Sequence, residues 1–295
     1  MENYYSHAKN TFTYFICPTC FSTTFLGGFG NIWFSFLVYR NYWNKINYRI
    51  LFWIMILDIS CDLVFIPFEV LQTYWYFEFN SLLGTTLFCQ IESLFFNISL
   101  MGSIFGKFVA ASVRGWSIFF PISYRKFVSM RFINIIIATL IFGFSTLIHL
   151  AFFKWALEYD MDPVFGDCYS IHHFKWTDVL RSSIFTYFPL TASFLIYLLI
   201  FLKIIFMKSS EKGQIMKLTK GSGAVFCSII IYGACVLPLW IGYDSSNHYN
   251  KMSWSIWNKF IFRFSYAIDP LFYLALDSNM RRATLKYFKK SEEKL

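Results

Sequence analysis

Long apolar runs separated by short polar stretches divide this chain. Seven of them reach spanning length, at about 13–39, 50–73, 86–118, 132–153, 180–207, 222–243 and 256–276. A helix of about 20 apolar residues crosses a hydrocarbon core of roughly 30 Å, so each run predicts a membrane-spanning helix. The stretches between them are too short for a further soluble domain, which makes 1–295 a single domain. In the third run, the steps from Cys89 to Arg114 make a helix of about 37 Å at 1.5 Å per residue. That length places the cysteine on one side of the bilayer and the arginine on the other. Pro121 follows seven residues beyond Arg114.

After the last run the pattern changes. DSNMRRATLKYFKK opens with Asp277 and Ser278 as N-cap candidates and spaces Met280, Leu285 and Phe288 among basic residues. This predicts a short amphipathic helix at about 278–290 on the inner membrane face, held by anionic lipid. A disordered basic tail is the other reading of the same residues.

Composition supports the broad class. The chain is 57% hydrophobic, 23% aromatic and 15% charged, more apolar and less charged than an average soluble domain. A net charge of +9 raises nucleic acid as a partner, but that needs a clustered basic face on a soluble domain. Here the basic residues lie between apolar runs instead. Arg40, Lys45, Arg49, Arg125, Lys126, Arg131, the lysines of 208–220 and the tail share one side, and the alternate loops carry few. By the positive-inside rule the amino terminus is outside and the carboxyl terminus cytoplasmic. MENYYSHAKN has neither a basic n-region nor a small-residue cleavage site, so the first run is expected to act as its own insertion signal.

These features together resemble the rhodopsin-like (class A) G-protein-coupled receptors. In that family an extracellular cysteine precedes the arginine of the third helix by 25 residues, and Ile and Pro follow at the spacing of Ile118 and Pro121 here. Gly30-Asn31 matches the marker of the first helix, Leu57-Asp58 that of the second, and Pro189 with Tyr197 that of the fifth. Cys235-Val236-Leu237-Pro238 matches the sixth and Asp269-Pro270-Leu271-Phe272-Tyr273 the seventh. Departures mark a divergent member. The arginine triplet reads Val113-Arg114-Gly115, without its acid and tyrosine, and Val236 replaces the aromatic of the sixth helix. The wording is also similar to the chemosensory serpentine receptors of nematodes.

The resemblance implies an all-α membrane fold, a seven-transmembrane helix bundle with a short amphipathic C-terminal helix, in the plasma membrane. Cys89 and Cys168 stand at the extracellular face, where an oxidising compartment makes a disulfide the simplest reading. Cys168, His172 and His173 lack metal-ligand spacing. Buried ionisable residues are functional candidates because they are costly in lipid. Asp58, Lys107 and Asp269 are the deepest, and Ser103 and Ser265 match members of the family's sodium site. Lys107 shares the inward face with Ser103 and Arg114; it pairs with Asp58, pairs with Asp269, or turns to water.

Nearer the outside, the resemblance places Glu69, Glu92, Phe96, Asn97, Leu100, Met101, Leu239, Trp240, Tyr243, Lys259 and Arg263 around a ligand pocket. Glu69, Glu92, Lys259 and Arg263 serve either ligand capture or structural ion pairing. Amine receptors keep an aspartate where Phe96 stands, which argues against a monoamine. Ile104, Pro189 and Tyr232 occupy the family's connector, Pro238 and Pro270 belong with its activation residues through the sixth- and seventh-helix motifs, and Arg114, Tyr197 and Tyr273 meet in its active state. The implied partners are an extracellular ligand, a heterotrimeric G protein and the lipid bilayer. No nucleophile–base pair, phosphate loop or metal motif is seen, so neither an enzyme nor a cofactor is expected. A neuropeptide-type receptor of the same class is the nearest alternative. A small multi-spanning transporter would show internal repeats, and none is visible.

Overall fold

The computed structural model describes residues 17–65, 86–129, 133–143, 183–206, 223–231 and 267–292, two short stretches at 157–161 and 168–172, and a few isolated positions between them. The first run forms α1 (Cys17–Leu37), which widens into a π-type turn over Val38–Tyr42. The second forms α2 (Ile46–Ser60), again widening over Cys61–Phe65. The third is α3 (Thr86–Phe119), 34 residues in length. Phe120 leaves helical geometry with φ −131° and ψ 62°, and Pro121 starts α4 (Pro121–Val128). The proline ring disfavours helical backbone in the residue before it and suits a first helical position, so one residue both ends α3 and begins α4.

α5 (Ile133–Ala138) continues as a π-type turn over Thr139–Gly143, and another over Ser183–Tyr187 precedes α6 (Phe188–Phe206). α7 covers 223–231, α8 Ala267–Leu276 and α9 Ser278–Glu292. Each described helix falls within or close to an apolar run, and α9 covers the stretch after the last one. The helical expectation needs one addition. Leu157–Met161 (β1) and Cys168–His172 (β2) form an antiparallel ribbon, with Leu157 opposite His172 and Met161 opposite Cys168. The alternation Leu157, Tyr159, Met161 against Glu158, Asp160 fits a strand's period of two.

Two described stretches, Phe21–Tyr42 and Phe188–Phe206, are long and apolar enough to cross a membrane. Their exposure pattern is inverted relative to a water-soluble domain. On α1, Leu26 is 72% exposed and Phe29 60%, and on α6 Phe206 is 83% exposed, while Asn31 and Asp58 are fully buried. Along α6 the buried residues Pro189, Ser193, Tyr197 and Ile200 form one stripe at helical spacing, and the exposed residues are apolar except for Thr191. Apolar bands of this extent find a favourable surrounding in hydrocarbon.

α3 lies at the centre and contacts α2, α6 and both strands of the ribbon. Its Ile104 packs into a core with Ile54 and Met55 of α2 and Ile141 beyond α5. α1 and α8 approach closely through glycine. A Cβ on Gly30 would stand 2.6 Å from the Pro270 Cβ, and one on Gly27 would stand 2.7 Å from the Ala267 Cα. Small residues at such crossings let two helices pack backbone to backbone in lipid.

Candidate functional site

Polar side chains gather along the inner face of α1, α2, α3 and α8. Asp58 and Asp62 are four apart on the second segment, so they share a face, and both are fully buried. Lys107 on α3 is 2% exposed and Asp269 on α8 is 1% exposed. The Lys107 Nζ lies 2.9 Å from the Asp269 Oδ2. Asn31 of α1 donates from Nδ2 to Asp62 Oδ2 at 3.3 Å. Ser103, 1% exposed, completes the group from α3. Three carboxyl groups and one ammonium thus occupy the interior of the helix packing. Burying charge is costly in low dielectric, and opposite charge within contact distance offsets part of that cost.

Toward the end of α3 is a second polar contact. The Arg114 Nη1 donates to the Tyr197 hydroxyl at 2.6 Å, joining α3 to α6, and both residues are buried. Tyr273 of α8 is 1% exposed and packs edge-on against Phe34. Its hydroxyl has no hydrogen-bond partner among the described residues. Of the three residues expected to meet, Arg114 and Tyr197 are therefore joined, and Tyr273 is not bonded to either.

The turn between α8 and α9 is a third polar junction. Asp277 Oδ1 accepts from the backbone N–H of Asn279 at 2.9 Å and of Met280 at 3.3 Å, so Asp277 caps α9. The Tyr48 hydroxyl donates to the same carboxylate, at 2.9 Å to Oδ2, and accepts from Asn279 Nδ2 at 2.9 Å. Burial first, and then the Asp277 carboxylate, push the Tyr48 phenol above its ordinary range. Tyr42 stacks on Tyr48 with ring centroids 4.8 Å apart, and the Lys45 ammonium lies over both rings.

α9 divides its apolar residues differently from the sequence pattern. Met280 and Thr284 are buried and Tyr287 packs edge-on against Trp33 of α1, whereas Leu285 and Phe288 are 62% and 61% exposed. Met280 therefore belongs to the buried core, and Leu285 and Phe288 form the outer apolar edge. Trp33 reinforces the contact by donating from Nε1 to the Thr284 hydroxyl at 3.3 Å.

Of the remaining expected residues, Met101, Ile104, Pro189 and Pro270 are buried. Glu69, Tyr232, Pro238, Leu239, Trp240, Tyr243, Lys259, Arg263 and Ser265 lie outside the described residues. Cys89, Glu92, Phe96, Asn97 and Leu100 fall on α3 and Cys168 on β2, but their side chains also lie outside the described part. Sequence reasoning missed Asp62, although its spacing of four from Asp58 within an apolar helix was a readable signal. It also missed Tyr48, because α2 begins at Ile46, before the apolar run that starts at about 50.

In comparisons with known proteins, no family model and no curated protein sequence matches this chain.

Proposed function

We propose that the chain is a seven-helix receptor of the plasma membrane that binds an extracellular ligand and activates a heterotrimeric G protein. The observation that carries this reading is the Arg114–Tyr197 hydrogen bond between α3 and α6. A buried arginine bonded across two helices has two discrete arrangements, bonded and released, which is what a two-state transducer needs. The basic loops and α9 face the cytoplasm in this reading, and the ends of the helices opposite Arg114 surround the ligand. Arg263, Lys259, Glu69 and Glu92 give that pocket its charge and favour a ligand with an anionic or carbonyl group.

The Cys89–Cys168 disulfide belongs to the same proposal. β2, which carries Cys168, contacts α3, which carries Cys89 near its first turn. The bridge ties the ribbon across the ligand entrance.

A ligand screen on cells that express the chain with a promiscuous G protein tests the receptor reading. A response to one ligand class that Arg114→Ala abolishes at equal surface expression is the expected result. Ligand-independent transport of a solute by the same cells, without any G-protein response, would replace the receptor by a carrier.

A further inference from the structure

A cavity of about 300 Å³ opens between the start of α2, α4 and the start of α9. Lys45, Asn47, Tyr48, Arg114, Tyr124 and Asn279 supply its polar wall. The described lining holds two cations and no carboxylate; Asp277 is not part of it and accepts a hydrogen bond from the Tyr48 hydroxyl. α2 begins at this wall, and Lys45, its N-cap residue, makes no side-chain capping hydrogen bond. Lys45, Ile46 and Asn47, the first residues of this helix end, line the cavity, and a helix N-terminus favours negative charge nearby. Asn47 adds a buried amide oxygen without a hydrogen-bond partner among the described residues. Its O and N exchange by a half turn, so the same amide presents a donor to an acceptor ligand. Tyr124 keeps its phenolic proton, since burial raises its pKa, and it adds a further donor.

We infer that this cavity is a binding site for a phosphate group on a small ligand. Two cations, an uncapped helix N-terminus and neutral donors are the chemistry that recognises phosphate oxygens. The volume is at the small end of ligand pockets, which suits a phosphorylated head group and excludes a folded peptide helix about 10 Å across. α9 supplies Asn279 of its first turn to the wall, and its exposed Arg282, Lys286 and Lys289 lie farther along the helix, outside the lining. The shared chemistry fits an inositol phospholipid head group reaching in from the bilayer, or a soluble phosphate ester. The inference goes beyond the receptor reading, because binding is measured without any G protein.

The test uses the full chain in phosphatidylcholine nanodiscs with three probes: dioctanoyl phosphatidylinositol 4,5-bisphosphate, inositol trisphosphate and inorganic phosphate. Binding is read by native mass spectrometry and by thermal shift. At least one probe should bind, and Lys45→Gln should weaken it about tenfold, a loss of one charged contact. Lys286→Gln, on the exposed face of α9, should leave affinity within twofold. Binding of the lipid alone assigns the site to the bilayer, and equal binding of inositol trisphosphate assigns it to a soluble ester. Absence of binding by all three probes overturns the inference, as does equal weakening by the two lysine variants. Capture of an acidic peptide with Lys45 dependence, with no phosphate probe bound, overturns it in favour of a protein ligand.

Discussion

Lys107 of α3 and Asp269 of α8 form an ion pair of 2.9 Å with side chains no more than 3% exposed. The pair crosses the interior between helices that are more than 150 residues apart in sequence. Its removal by halves and its removal as a unit have opposite expectations. Lys107→Leu leaves a buried carboxylate without its ammonium and should cost about 3–5 kcal/mol. Lys107→Leu with Asp269→Asn removes both charges and should recover most of that loss. Thermal unfolding in detergent, run as a double-mutant cycle, measures the coupling. Additive losses would show that the two charges do not support each other.

The Arg114–Tyr197 bond gives a prediction about signalling. Tyr197→Phe keeps the ring and removes the acceptor for the Arg114 guanidinium. A hydrogen bond to a charged group is worth about 1.5–3 kcal/mol, so ligand-independent signalling through a co-expressed G protein should fall at least tenfold at equal surface expression. Unchanged basal signalling would mean that the contact does not bias the active state.

Gly30 on α1 and the helical Gly233, beyond the end of α7, should respond in opposite ways. Gly30→Leu drives a side chain into Pro270 and should destabilise by about 1–3 kcal/mol through overpacking. Among the described residues, a Cβ on Gly233 meets no heavy atom within 4 Å. Gly233→Ala should therefore be neutral or stabilising by up to about 1 kcal/mol. Differential scanning fluorimetry on the two variants distinguishes them, and equal destabilisation would contradict the close approach of α1 to α8.

The Tyr48–Asp277 junction predicts a dependence on alkaline pH. Burial and Asp277 raise the Tyr48 phenol above its ordinary 10.0. The folded chain then holds the proton more tightly than the unfolded chain. The resulting stability is fully present below pH 10 and is lost as pH rises through the higher folded value. Tyr48→Phe should be less stable than the parent at pH 8, and the gap should narrow above pH 10. A gap constant from pH 8 to pH 11 would show that the phenolic proton does not contribute.

The helices were legible in the sequence because length and apolar content fix them with little help from context. α3 starts at Thr86 and ends at Phe119, against an apolar run of 86–118, because Pro121 terminates it by steric exclusion. The cap at Asp277 was equally readable, since an Asp-Ser pair before an amphipathic pattern has a local chemical meaning. The partner of Lys107 was not. Spacing within α3 shows which face the lysine shares, but the choice between Asp58 and Asp269 depends on how α2 and α8 are rotated against α3. The π-type turns over Val38–Tyr42 and Cys61–Phe65 were equally hidden, because one extra residue per turn leaves no compositional trace. The phosphate-sized cavity escaped for a related reason: its walls come from Lys45, Tyr124 and Asn279, which are far apart in sequence and individually ordinary.

The junction of α8 with α9 has a further consequence, concerning depth. The Tyr48 hydroxyl donates a hydrogen bond to Asp277 and accepts one from Asn279, while Asp277 also holds the first turn of α9. With those bonds formed, the direction in which α9 departs is fixed, and Trp33 ties the helix to α1. In the proposed receptor reading, the exposed Leu285 and Phe288 would rest at the boundary between head groups and acyl chains, and α9 would then act as a float that sets the protein's vertical position. In that proposed orientation, a thicker bilayer would leave Arg114 at the same distance from the inner surface. The mismatch is then absorbed at the opposite ends of the helices, by local thinning of the lipid.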